Sequence, residues 1–341
     1  MGFGVRANDH MDSIYNNYGV RYIRLYCDGR LVFSSDVNNI PISCHRMVNS
    51  WGDYDHFLST KIWFMKSYIE PGNTKTVFEM VVLRAGKDRG IINFNQQRDY
   101  HLRYVISDVF GNQTVKEFVV RGEPEAIPKP ARPEGASPLY YAKDNHFEAD
   151  GVQLNIPRGL LAKDSWIQPR YFHAAGALSM GYSFSKASFP LFHYAQISIR
   201  PAEAVRNPAK LYIAMRAGMG AAAPASFCGG KYADGWVTGQ LRELSGIYYI
   251  ASDETSPAIT QMNLNPHHLF FKITDTGSGL KGYEAYVDGK FILLAFGKNK
   301  EVFFCDLADT PVRPTGKERT LKVVAVDNRD NRHEYMTKIK Y

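Results

Sequence analysis

The chain has 341 residues, of which 45% are hydrophobic and 22% are charged, a composition that excludes an intrinsically disordered protein. Its net charge of +7, without a long basic run, argues against nucleic-acid binding and indicates at most a weak preference for anionic surfaces such as a bacterial cell wall. The 21 Tyr and 20 Phe, with 28 Gly and 17 Pro, favour strands and turns, because aromatic side chains fit a pleated, half-buried surface. The length predicts two or three domains.

The first predicted domain, residues 1–121, contains two hairpin signals. In YIRLYCDGRLVFSS, Asp28 and Gly29 separate two alternating runs, and both residue types tolerate the positive φ of a type I′ turn. In YVISDVFGNQTVKEFVV, the turn runs from Asp108 to Asn112. We interpret it as a turn in which Asp and Asn bond their own backbone, because an EF-hand requires D-x-[DN]-x-[DN]-G and a Glu at the twelfth position.

An insertion at about residues 40–95 separates these two hairpins. Within it, residues 49–67 fit a short helix, although loop and strand fit equally well. Trp51 and Tyr54 of the insertion are candidate ligand-binding residues, because exposed aromatic rings stack on sugars. The alternative is a core position, since Trp is commonly buried in β-sandwiches.

Residues 122–138, GEPEAIPKPARPEGASP, form a boundary with five prolines. Proline fixes φ and removes a backbone donor, so we predict a semi-rigid linker here. Residues 139–252 then alternate or run apolar between turn formers, which predicts a small β-sandwich module. Trp166 and Tyr171 are its candidate ligand-binding residues, with burial in the core again as the alternative.

The last predicted domain, residues 253–341, repeats the order of signals seen in the first. A strand is followed by a hairpin at Asp288 and Gly289, and then by a hairpin that turns between Asp327 and Asn331. We therefore predict an all-β chain of three β-sandwich-like domains, in which two immunoglobulin-like domains flank a small β module.

Motifs for catalysis or metal binding are missing from the sequence. It has no G-x-S-x-G, Walker or H-E-x-x-H motif. His146 and Asp150 fit H-x-x-x-D, but no H-x-H supplies the further ligand that a zinc site needs. We therefore predict no catalytic residue, no metal ligand and no cofactor. The four cysteines form no C-x-x-C, and a disulfide between Cys27 and Cys44 stays open.

The chain resembles the region that follows the catalytic domain in bacterial LytM/lysostaphin-type zinc metallopeptidases. Residues 1–120 carry this resemblance through YGVRYIRLYCDGRLVF, YIEPGN and YVISDVFGNQT. Residues 140–250, with VQLNIPRGLLAKD and SGIYYIASDETSP, resemble the small β module that comes next, and also the I-P-x-G β domains of ankyrins and netrin receptors. Residues 258–341, with FKITDTGSGLKGYEAYVDGKFILL and VVAVDNRDNRHEY, resemble the closing immunoglobulin-like domain.

The resemblance implies a non-catalytic accessory region of a cell-envelope peptidoglycan metallopeptidase, acting as a scaffold or targeting module. The zinc of that family is held by H-x-x-x-D and H-x-H motifs of a domain that would precede residue 1, so none of its ligands is carried onto this sequence. The implied location is the periplasm or cell envelope. The implied partner is peptidoglycan, another envelope component or the upstream peptidase domain.

A stand-alone envelope adhesion or carbohydrate-binding protein is the alternative function. The start, MGFGVRAND, has neither the basic nor the apolar region of a signal peptide, and it begins on what reads as a strand. This start agrees with a chain cut, or a gene truncated, just downstream of an enzyme. No apolar run approaches the length of a membrane span, so we expect no membrane span.

Overall fold

The computed structural model confirms the all-β fold, with 48% of the chain in strands and 7% in helices. No helix in the described part of the chain is long and apolar enough to cross a membrane. The described residues are 1–10, 15–73, 82–126, 128, 131–186, 190–217, 225–297, 299 and 301–341.

The first domain is built on one five-stranded antiparallel sheet, in the order β7-β5-β4-β8-β9. Its strands are β1 (Gly4–Val5), β2 (Asp9–His10), β3 (Asn17–Tyr18), β4 (Tyr22–Cys27), β5 (Arg30–Asp36), β6 (Met65–Lys66), β7 (Val82–Arg84), β8 (Asp99–Ser107) and β9 (Gln113–Arg121). Because side chains alternate along a strand, Ile23 and Leu25 of β4 point into the core, while their neighbours face solvent. Among described residues, the other sheets of this domain are the short pairs β1-β6 and β2-β3.

The insertion of the first domain is partly helical, as the sequence allowed. It forms a 3-10 helix (Ile42–Met47), α1 (Val48–Trp51) and α2 (Tyr54–Thr60). Asp53 caps α2 by accepting a hydrogen bond from the His56 N–H, and the helix ends at Lys61, whose φ is 61°.

The insertion packs against the middle module. Arg46 donates to the carbonyl oxygens of Leu191 and Arg242, at 3.3 Å and 2.8 Å. Met47 packs against the core of the module. Gly72 donates its N–H to the Ala162 carbonyl at 2.6 Å, and a Cβ at this position would lie 2.1 Å from a backbone oxygen. Only glycine permits this approach, so the first domain and the module share a close backbone contact.

The middle module is a sandwich of two five-stranded sheets, with orders β11-β12-β16-β20-β19 and β14-β15-β21-β17-β18. Its strands are β10 (Ser137–Leu139), β11 (Asn145–Ala149), β12 (Val152–Ile156), β13 (Ser165–Ile167), β14 (Arg170–Phe172), β15 (Gly181–Ser183), β16 (Pro190–Ile199), β17 (Leu211–Arg216), β18 (Ser226–Phe227), β19 (Lys231–Ala233), β20 (Trp236–Glu243) and β21 (Ile247–Ser252). The end of the Pro-rich segment thus enters β10, which among the described strands pairs with β13 alone, as suits a strand with a proline.

The C-terminal domain packs two four-stranded sheets around one core, with orders β22-β23-β27-β26 and β25-β24-β28-β29. Its strands are β22 (Ala258–Asn265), β23 (His268–Thr274), β24 (Leu280–Val287), β25 (Lys290–Ile292), β26 (Ala295–Phe296), β27 (Val302–Cys305), β28 (Glu318–Asp327) and β29 (Arg332–Lys340). Two further 3-10 helices are Pro208–Lys210 of the module and Leu307–Asp309 of this domain.

The two end domains share a strand order. The order β5-β4-β8-β9 in the first corresponds to β25-β24-β28-β29 in the last, with the same two hairpins in the same places. Even the turn contacts repeat. Asp28 has a φ of 48° and accepts from the His101 N–H at 2.9 Å, while Asp288 has a φ of 47° and accepts from the Thr320 N–H at 2.8 Å.

The second hairpin turns are also alike in their hydrogen bonds. Asp108 accepts from the N–H groups of Phe110 and Asn112 and from the Asn112 amide, at 2.8, 2.9 and 2.6 Å. Asp327 accepts the corresponding three bonds, at 2.7, 2.9 and 2.6 Å, the first from the Arg329 N–H. Only the environment of the two turns differs. Asp108 is half-buried and Asn112 is exposed, whereas the corresponding Asp327 and Asn331 are both buried.

All four cysteines are free thiols, so the pairing of Cys27 with Cys44 is not formed. Burial raises the pKa of Cys228 and of Cys305 to about 11. Both side chains therefore belong to their cores as protonated, unreactive thiols.

Gly289→Ala tests the hairpin geometry. Gly289 has a φ of 79° and no atom near its missing Cβ, so an alanine there meets backbone strain alone. We expect a loss of about 1–2 kcal/mol in the free energy of unfolding, measured by denaturant titration. Gly282→Ala is the control, because Gly282 also has open space but no positive φ, and it should change stability by less than about 0.5 kcal/mol. Equal losses in the two variants would contradict the claim that the positive φ of Gly289 strains an alanine there.

Candidate functional site

Trp51, the first of the four predicted ligand-binding residues, lies in the core. Its side chain is 3% exposed, and the indole Nε1 donates to the Lys66 carbonyl at 2.8 Å. The ring packs beside Val37, Cys44 and Ile69. This is the core alternative that the sequence left open, and the ring offers no face to a sugar in this structure.

Tyr54 lines a cleft of about 220 Å³ between the insertion and the middle module. Burial raises the pKa of Tyr54, and the negative charge of Glu243 on the module adds to the effect. Burial also raises the pKa of Glu243, although Arg46 opposes this. Lys66 and Glu70 form an ion pair in the same cleft at 2.9 Å, and Lys163 of the module lies 3.5 Å from Glu70. The cleft is therefore part of the contact between two domains.

Trp166 and Tyr171 lie in two different sheets of the module. Trp166 is half-buried in β13, opposite Pro138. Tyr171 is 49% exposed and packs edge-on against Tyr182, with 5.7 Å between ring centroids. None of the ring contacts in the described residues joins two of the four predicted aromatics. They do not form one site, and Tyr171 is the one that offers an open ring.

A surface that sequence reasoning missed lies on the solvent face of the first sheet. We call it the Tyr–Arg face, and it consists of Tyr22, Arg24, Tyr26, His101 and Arg103. On β4, Tyr22, Arg24 and Tyr26 alternate with the buried residues of the core. The register places Arg103 of β8 opposite Tyr26, and His101 follows two residues away on the same face.

The guanidinium groups of the Tyr–Arg face are held by the tyrosine rings. Arg103 Cζ lies 4.9 Å from the centroid of the Tyr26 ring, and Arg24 Cζ lies 5.5 Å from that of Tyr22. Neither arginine forms an ion pair with an acid in the described parts of the chain. A guanidinium that lies over a ring keeps its N–H edge for other acceptors. A cavity of about 520 Å³, lined among others by Tyr26, His101 and Arg103, opens on this face.

A second group that sequence reasoning missed is a cluster of three carboxylates. Asp253, Asp275 and Asp327 each place an oxygen within 4.8 Å of the others, and within the described residues this is the one group with the composition of a metal site. Among the described residues, His146 and Asp150 belong to no group of three possible metal ligands. His146 Nδ1 lies 2.7 Å from Asn155 Oδ1. No local motif brings the three aspartates together, because they come from three separate segments.

Comparison with known proteins identifies one domain. Residues 136–253 match the family model of the Zu5-like domain, which covers the middle module and less than half of the chain. This is the stretch that resembles the I-P-x-G β domains. No curated protein gives a significant match.

Among solved structures, the matches are weak in both sequence identity and TM-score. One is a Bacteroides ovatus mixed-linkage glucan utilization locus protein, SGBP-B, in complex with a mixed-linkage heptasaccharide, at 10% identity and a TM-score of 0.16. The match covers 95% of this chain, which spans 60% of that one. A Ca²⁺-stabilized ice-binding adhesin of an Antarctic bacterium is 9% identical, with a TM-score of 0.16. That match covers 94% of this chain and 90% of the adhesin chain. A 1.5-MDa bacterial ice-binding adhesin is 9% identical to this chain, with a TM-score of 0.15. That match covers 96% of this chain and 87% of the adhesin chain. TM-scores this low carry no argument about function.

Trp51→Ala separates a core role from a binding role. Removal of a buried indole and its hydrogen bond should lower the free energy of unfolding by about 3–5 kcal/mol. Tyr171→Ala, at an exposed ring, is the control and should cost about 1 kcal/mol or less. Chemical denaturation of the two variants measures both values. A Trp51→Ala variant as stable as the wild type would contradict the core assignment.

Proposed function

We propose that this chain is a non-catalytic binding array of the cell envelope, and that its Tyr–Arg face holds an anionic glycan. The observation that supports this is the pair of guanidinium groups, Arg24 and Arg103, each held over a tyrosine ring on an open sheet face. Arginine suits carboxylate and phosphate groups because its planar N–H edge donates two parallel hydrogen bonds.

The face has the extent and chemistry that a polymer needs. Tyr22 and Tyr26 are four residues apart on β4, which separates their Cα atoms by roughly 13 Å at about 3.3 Å a residue. Two rings and two cations at this spacing suit a chain of several sugars better than a single one. His101 adds a polar group beside Arg103, where it is exposed to solvent, whereas the Glu117 carboxylate opposite Arg103 repels an anionic ligand. The net charge of +7 adds a general attraction for an anionic polymer.

A cosedimentation assay with insoluble peptidoglycan tests the proposal. The double variant Arg24→Ala/Arg103→Ala should lower the affinity at least tenfold, because it removes both guanidinium groups but leaves the core face of the sheet intact. Arg206→Ala/Arg313→Ala is the matched control, since it removes the same charge from exposed positions in the other two domains. High salt should weaken binding by the wild type, as expected for exposed charges.

Two outcomes would contradict this function. The first is equal retention of the Arg24/Arg103 variant and the wild type. The second is equal retention of the wild type on an uncharged insoluble polysaccharide, which would remove the requirement for an anionic ligand.

An accessory region of a LytM/lysostaphin-type metallopeptidase is a second candidate function, and we propose it as the setting of the binding array. It is favoured by the order of the three domains and by the shared hairpins of the two outer ones. In this setting the peptidase activity belongs to another domain. Zinc-dependent release of peptides from purified peptidoglycan by these 341 residues would contradict the non-catalytic assignment.

A further inference from the structure

The acidic cluster lies at the junction, by which we mean the contacts between the middle module and the C-terminal domain. Asp253 follows β21 of the module, Asp275 follows β23, and Asp327 ends β28. Asp253 is 4% exposed and Asp327 is 0% exposed, while Asp275 is half-buried. The cluster thus joins the segment between the domains to both sheets of the second one.

No basic side chain neutralises these carboxylates. In the described parts of the chain, none of the three forms an ion pair. The basic residues of the junction are directed elsewhere, since Arg329 donates to the Leu211 and Gly230 carbonyls and Lys210 donates to the Arg329 carbonyl. The carboxylates accept hydrogen bonds from N–H groups, but among the described residues no positive charge offsets the three neighbouring negative charges, so this arrangement favours a cation or a proton.

The Ser278 hydroxyl is an independent sign of a ligand. The residue is 2% exposed, and its Oγ has no hydrogen-bond partner. Its backbone N–H donates to Asp253 Oδ2 at 2.7 Å, and its hydroxyl lies beside the same carboxylate. A buried hydroxyl without a partner is unusual in a folded protein, and a bound ion would supply the missing contact.

Gly277 shows that the backbone is shaped around the cluster. A Cβ at this position would lie 2.3 Å from the Asp253 Cγ, so only glycine lets the loop approach the carboxylate. Asp275 Oδ2 accepts from the N–H groups of Gly277 and Gly279, at 3.0 and 2.7 Å. The loop thus fixes the oxygens in place.

We propose that Asp253, Asp275 and Asp327, with the Ser278 hydroxyl, bind a calcium ion that fastens the junction. All four offer oxygen and none offers nitrogen or sulfur, which selects a hard cation over zinc or copper. Ca²⁺ accepts irregular sets of six to eight oxygens, whereas Mg²⁺ requires a near-ideal octahedron and retains its waters. Ligands anchored on three segments suit calcium, with water completing the coordination.

The first domain provides an internal comparison. Its pair Asp9 and Asp108 corresponds to Asp275 and Asp327, and both line one shallow cavity. Among described residues no third carboxylate joins them, and Asn112, the partner of Asp108, is exposed. The same turn therefore carries an ion site only in the copy where the preceding module contributes Asp253.

Calcium titration of the full chain, first treated with EDTA, tests the site. Isothermal titration calorimetry should show one equivalent of Ca²⁺ bound, and the thermal midpoint should rise with CaCl₂ concentration, since an ion that binds only the folded state stabilises it. No heat and no rise at millimolar CaCl₂ would overturn the proposal. An equal response to the same concentration of MgCl₂ would overturn the choice of calcium.

Three variants locate the ion. Asp275→Asn should weaken Ca²⁺ binding at least tenfold. Ser278→Ala should weaken it severalfold with little loss of stability in EDTA, because this hydroxyl forms no well-aligned hydrogen bond with the described residues. Asp330→Asn is the control, since this exposed acid in the same turn pairs with Lys281 outside the cluster and should leave Ca²⁺ affinity unchanged. Wild-type affinity in both Asp275→Asn and Ser278→Ala would overturn the assignment of the site.

Discussion

The buried bond between Asp327 and Asn331 is the contact on which the junction depends. The Asn331 amide nitrogen lies 2.6 Å from the Asp327 carboxylate, and the same amide donates to the Asp253 carbonyl at 2.9 Å. One side chain thus closes the last hairpin and holds the segment that leaves the middle module. Because Asn331 is 8% exposed, water does not replace these bonds when they are lost.

Further hydrogen bonds connect the middle module to its two neighbouring domains. Arg329, in the same turn, donates at 2.7 Å to Leu211 and at 2.8 Å to Gly230 of the module. At the other end of the module, Arg46 and Gly72 connect it to the first domain. In each of these hydrogen bonds the acceptor is a backbone carbonyl oxygen. The bonds therefore require that the backbones of the two domains are held in fixed positions. An array linked in this way holds the Tyr–Arg face in a defined position relative to the other two domains.

The sequence predicts the local structure well, because alternation and turn chemistry are local properties. YIRLYCDGRLVF shows both the buried face and the Asp28–Gly29 hairpin, and the D-x-x-[GD]-N turns show which Asp and Asn bond their own backbone. Three of the five residues of the Tyr–Arg face, Tyr22, Arg24 and Tyr26, are visible in the alternation once the sheet is known to be open on that side.

What the sequence does not predict depends on register and burial. Arg103 meets Tyr26 only because β8 pairs with β4 in one register. Trp51 has the residue type of a sugar platform, yet its burial excludes that role. The acidic cluster combines aspartates from three segments, and Asp327 has the same local pattern as Asp108. Its different environment follows from the packing of one domain on another.

The most direct measurement compares Asn331→Ala with Asn112→Ala by equilibrium unfolding. The two residues have the same place in the same turn, and both substitutions remove a neutral amide. The account predicts that Asn331→Ala costs about 2 kcal/mol more, because it leaves two buried acceptors without donors, whereas water satisfies the exposed acceptor in the first domain. Equal losses in the two variants would contradict the claim that this turn fastens the junction.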